Sequence, residues 1–94
     1  MNRAEILDTA KQYITQDRAA THGDAENSFT EIAGHWNWWL GERLTTPLTA
    51  WDVAQMMAGF KQARAKGNPG NPENAIDGCG YQAIAGEIAT GGGA

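Results

Sequence analysis

Apolar positions in this chain recur every three or four residues, and nowhere do they alternate over a strand's length. That spacing belongs to helices with one covered face. A first stripe holds Ile6, Leu7, Ala10, Tyr13 and Ile14. Asn2 with Glu5 three residues on has the form of a capping box opening that helix, which closes near Arg18. DRAATHGD follows, where Gly23 accepts a positive φ and Asp24 can cap the next helix. The second stripe, Phe29, Ile32, Ala33, Trp36, Trp39 and Leu40, is wide enough to meet more than one neighbour, and Trp38 points the other way. Gly41 closes this helix, and RLTTP is a connector because Pro47 cannot continue one.

Thr49 and Asp52 form another capping box, opening a third helix. At about 100° per residue its stripe holds Val53, Met56, Met57, Phe60 and Ala63, with Arg64 among them. KGNPGNP then breaks the pattern, since two Asn-Pro pairs and two glycines disfavour regular structure. A fourth helix starts around residues 73–75 and runs to about Ala89, carrying Tyr81, Ile84, Ala85 and Ile88 on one side. Asp77 lies within that stripe and Asn74 at its edge. The pattern predicts an all-α protein, a compact four-helix bundle over residues 1–89, with TGGGA at 90–94 as a flexible tail.

Composition narrows what such a bundle does. With 94 residues it is one domain with a modest core, which self-association would help. A net charge of −4 argues against direct binding of duplex nucleic acid, which needs concentrated Lys and Arg. A small anion held by a few cations and a metal stays open. The single Cys79 excludes an internal disulfide framework and a cysteine zinc site, and suits a reducing compartment. No apolar run is long enough for a membrane span, and the N-terminus lacks a signal peptide's apolar core, so the expected location is the cytoplasm. His22 and His35 are too far apart in the pattern to share a zinc ion, and neither a nucleophile-plus-base motif nor a phosphate-binding glycine loop is present.

Candidate chemistry lies where charge interrupts apolar stripes, because a buried charge must be paired, hydrogen-bonded or liganded. Arg64 and Asp77 are expected on inward faces of consecutive helices, either as a structural ion pair or as a site in which Asp77 holds a divalent cation and Arg64 a phosphate. Lys61, one turn earlier, reaches the same anion or stays solvated. Asp52 is explained by capping or by metal ligation, and Asn74 with Asp77, three apart, could share one ion or hydroxyl. Glu26 borders the second stripe while Glu31 and His35 face away from it, which makes Glu26 the better carboxylate for a site or else a surface residue. Arg18 either satisfies the first helix's last carbonyls or folds over the bundle mouth beside His22 and Gly23.

The order Arg18, His22-Gly23, Phe29, Ile32-Ala33, Trp36, Asp52-Val53-Ala54, Met56-Met57, Lys61, Arg64, Asn74, Asp77 and Gly80-Tyr81 resembles a phage- and prophage-borne family of small all-α proteins associated with the MazG-like nucleotide pyrophosphohydrolases. The resemblance runs from about Ile6 to Glu87. It implies an oligomeric helical bundle that uses magnesium to split nucleoside triphosphates into monophosphate and pyrophosphate. The acidic ExxE and ExxD strings of MazG-like enzymes are missing: Gln55 follows Asp52 and Phe29 follows Glu26 at that spacing. His22 and Ser28 stand where the small family usually shows tyrosine and asparagine. Asp52, Lys61, Arg64, Asn74 and Asp77 match.

Two functions follow as expectations. In an enzyme, Mg2+ on Asp52 or Asp77 polarises a phosphate, Glu26 or Asp77 orients water, and Lys61 and Arg64, with Arg18 as a further binding cation, neutralise the leaving pyrophosphate. In a binding protein the same pocket sequesters a nucleotide or a cyclic-nucleotide signal without turnover. A blander third reading is a helical partner-binding module. Trp38 and Trp51 fall opposite their helices' apolar stripes, which predicts a homo-oligomer joined through those faces.

Overall fold

The computed structural model describes residues 1–17 and 24–91. Among the described residues there are four α-helices and no strand. Helix α1 (Arg3–Gln12) continues into a π-helical turn, Tyr13–Asp17; α2 is Ala25–Leu40, followed by a 3₁₀ turn at Gly41–Arg43; α3 is Ala50–Gly67; α4 is Pro72–Ala89.

Local chemistry sets these boundaries. The Asn2 side chain accepts from the Glu5 amide at 2.8 Å while Glu5 accepts from the Asn2 amide at 3.0 Å, the reciprocal pair of a capping box. Asp24 accepts from the Asn27 amide at 3.1 Å to start α2, and Gly41, at φ 53°, ends it in a conformation that disfavours a side chain. Asp52 accepts from the Thr49 amide at 2.8 Å and Thr49 caps the Asp52 amide at 3.3 Å, opening α3. The KGNPGNP interruption is shorter than its composition suggests. Lys66 and Gly67 stay helical, and Pro72 enters α4 as its first residue, where a missing N–H costs nothing.

Helices α3 and α4 are antiparallel partners along most of their length, tied by a Gln82–Gln55 side-chain hydrogen bond of 2.8 Å and an ion pair between Lys61 and Asp77. Helix α2 packs on α3, and Asn37 pins the connector by donating to the Leu48 carbonyl at 3.0 Å and accepting from its amide at 2.7 Å. Among the described elements, α1 packs on α4 and on its own π-helical turn, and its backbone does not approach that of α2. The π-helical turn that follows α1 meets α4 at Gly80, where an added Cβ would lie 2.9 Å from Cγ2 of Ile14.

The core is Ala10, Phe29, Ala33, Val53, Ala54, Ala58, Ile76 and Ala85. Five of these eight are alanines, so the helices approach closely rather than interlocking large side chains. This corrects the expected orientation of α3. The covered side carries Val53, Ala54, Ala58 and, half-buried, Met57, Lys61 and Ala65, whereas Met56, Phe60, Ala63 and Arg64 are exposed. The inward face is thus turned from the larger apolar residues toward the smaller ones. Leu7 of α1 and Trp39 of α2, expected inside, are also exposed.

Candidate functional site

Because α1 and α2 both lean on other helices and not on each other, a cleft of about 570 Å³ opens between them with α4 as its floor. Its walls are Ile14 and Tyr13 from the end of α1 and Phe29, Ile32 and Trp36 from α2. Asp77, Tyr81 and Ile84, one turn apart along α4, line the floor. The Phe29 and Tyr81 rings lie 6.0 Å apart at a 33° tilt, so aromatic faces from two helices meet in it. Polar groups are few and placed at the rim and floor: Ser28, Glu31 and His35 from α2, Asp77 and Tyr81 from α4. A mostly apolar cleft with a small number of oriented polar groups is the usual build of a small-molecule site.

Three of the expected site residues come together on the α3–α4 seam. Lys61 Nζ lies 3.0 Å from Asp77 Oδ2, with only 16% and 12% of the two side chains exposed. Asn74 and Lys61 line a second groove, of about 300 Å³, with Asn71, Gln62 and Gln82. Asp77 lines the large cleft and its partner Lys61 the small groove, so the ion pair stands where the two hollows adjoin.

The remaining candidates lie elsewhere. Arg64 does not share the inward face with Asp77, a correction to the expected pair; it is exposed, its guanidinium 4.5 Å from the centroid of the Phe60 ring. The rotation of α3 that brings its alanines inward carries Arg64 out and puts Lys61 in its place. Asp52 is occupied by its capping box. Pairing of Gln55 with Gln82 and Lys61 with Asp77 sets Asp52 nearly level with Ala85, eight residues and roughly 12 Å of helix rise from Asp77, too far for one ion to touch both. Glu26 lies in a shallow groove with Thr30, Trp51 and Ile88, away from the cleft. Arg18, His22 and Gly23 fall outside the described residues.

Among the described residues no three His, Cys, Asp or Glu side chains converge as a metal site. Magnesium could still be held by one carboxylate and the phosphates of a substrate, the economical mode for a hard ion that keeps its waters. Asp77 is the carboxylate in the cleft best placed to do so. Pattern reading missed Glu31 and His35, which were expected to face away. Their spacing, four apart on α2 and flanking a wide apolar face, was the available signal, since a helix with two neighbours has a second seam. Trp38 and Trp51 are exposed, as their positions opposite the stripes required; Trp38 lies in an aromatic run with His35 at 5.6 Å and Trp39 at 6.2 Å.

The family model of DUF6378, described as a domain of unknown function, matches residues 5–89. No curated protein and no solved structure matches the chain.

Proposed function

This chain belongs to the DUF6378 family, and from that premise we propose that it is a nucleotide-binding protein of MazG-like type that holds its ligand in the cleft between α1, α2 and α4. The observation that carries the reading is the cleft itself. It has the size and apolar, aromatic lining of a small-molecule site, and a nucleobase is a flat group suited to Phe29, Trp36 and Tyr81. Asp77 in its floor is held in place by Lys61 and offers a carboxylate to a ligand hydroxyl or to a magnesium ion carried in by phosphates.

Binding without turnover is better supported than hydrolysis. Two-metal pyrophosphate chemistry uses carboxylates gathered around one point, whereas Glu26, Asp52 and Asp77 lie on three separate parts of the surface. A sequestering role toward a nucleotide or a cyclic-nucleotide signal fits that arrangement. Magnesium-dependent pyrophosphohydrolysis, with Asp77 as the metal ligand, is the alternative favoured by the resemblance of the Lys61, Asn74 and Asp77 positions.

Incubating the protein with ribo- and deoxynucleoside triphosphates and cyclic dinucleotides in the presence of magnesium separates these readings. Stoichiometric binding by calorimetry with the ligand recovered intact supports sequestration, and Tyr81→Ala should weaken it by about two- to tenfold if one stacking contact is lost. Pyrophosphate release abolished by Asp77→Ala means hydrolysis. Absence of affinity for every member of the panel leaves a helical partner-binding module.

A further inference from the structure

We propose that the outer face of α3 is a docking surface for a second copy of this chain, packed antiparallel against its own α3. Met56, Gly59, Phe60 and Ala63 occur at i, i+3, i+4 and i+7, the spacing of one helix face, and all four are exposed. None of them lines the cleft or the two grooves described above. Met56 is 48% and Phe60 44% exposed, while Ala54 and Ala58 of the same helix are buried. A lone bundle gains most by covering its larger apolar groups, at about 25 cal/mol per Å². Turning them outward makes sense where another surface covers them.

The face is complementary to itself in shape and in charge. In an antiparallel pair centred between Gly59 and Phe60, Phe60 lies over the partner's Gly59, and Met56 over the partner's Ala63, large against small at every level. Space above Gly59 is open, since an added Cβ there would meet nothing within 4 Å. The same register sets Asp52, at the N-terminal end of α3, beside the partner's Lys66, at its C-terminal end, and opposes the two helix dipoles.

Consecutive residues Trp38 and Trp39 project about 100° apart and give no comparable flat stripe.

Light scattering on the whole chain over a wide concentration range tests this. The wild type should run at an even multiple of the 10.1 kDa chain mass. Phe60→Glu should halve it, and so should Gly59→Leu, which fills the partner's seat while raising helix propensity in the subunit. Far-UV circular dichroism should show unchanged helix content in both, because neither site is buried in the subunit. Trp38→Glu should leave the mass unaltered. A wild type at chain mass throughout, a folded Phe60→Glu protein at wild-type mass, or loss of association on Trp38→Glu alone would overturn the proposal.

Discussion

Gly80 and Lys61 show how single residues hold this bundle. Gly80 is buried where the π-helical turn after α1 meets α4, and Cγ2 of Ile14 would lie 2.9 Å from any added Cβ. That methyl is fixed close to its own backbone and cannot swing aside. Gly80→Ala should therefore push α1 off α4 and cost about 1–3 kcal/mol in urea unfolding, despite alanine's better helix propensity. Ile14→Ala in the same chain should recover part of that loss. Lys61→Met should cost about 1–3 kcal/mol by removing the 3.0 Å ion pair to the mostly buried Asp77 carboxylate, read as a lower urea midpoint at neutral pH. Arg64→Met, removing an exposed guanidinium, should change the midpoint by less than about 0.5 kcal/mol. Were Arg64→Met the costlier of the two, the assignment of Lys61 as the partner would be wrong.

Elements differ in how strongly they are anchored. Helix α3 opens with a reciprocal capping box, so Thr49→Ala should cost about 1 kcal/mol, measured as a fall in the denaturation midpoint with unchanged slope. Helix α1 contributes one buried residue, Ala10, and among the described helices packs on α4, whereas α3 and α4 share most of the core. Native-state hydrogen exchange should accordingly release the amides of α1 first and those around Ala54, Ala58 and Ile76 last. Simultaneous exchange of both sets would show that α1 is not a separately opening unit. Caps and helix ends were legible at this scale because they are local: Asn2, Asp24, Gly41 and Thr49 act within a few residues of themselves. The facing of α3 was not. Its sequence contains two apolar sides, one of large residues and one of alanines, and periodicity cannot say which one a neighbour will approach. The small side won because α4 brings Ala85 into one cluster with Val53 and Ala54, and can come closer to these than to Met56 and Phe60.

For the molecule as a whole, the same close approach has a consequence for function. With α3 and α4 joined tightly and α2 laid against α3, α1 is left on the far side of α4, and the gap between α1 and α2 becomes the cleft. No helix among the described residues is long and apolar enough to cross a membrane. A ligand seated in the cleft touches α1, α2 and α4 together and should stabilise the fold by mass action, about 2.7 kcal/mol at a hundredfold excess over Kd. The amides of α1 should then gain the most protection. Protection confined to α3 on ligand addition would instead place the ligand outside the cleft.

The sequence by itself determined four helices, the caps that bound them and the interruption of the fourth stripe by Asp77, since each depends on spacing and on side chains acting over one or two turns. Only the tertiary structure decided that Lys61 rather than Arg64 meets that carboxylate, that Asp52 and Glu26 stand apart from it, and that Glu31 and His35 border the cleft. Those outcomes follow from how far each helix is rotated about its own axis and which neighbours it touches. Rotation is set by the fit of one surface to another, and no single helix's sequence contains the surface it will meet.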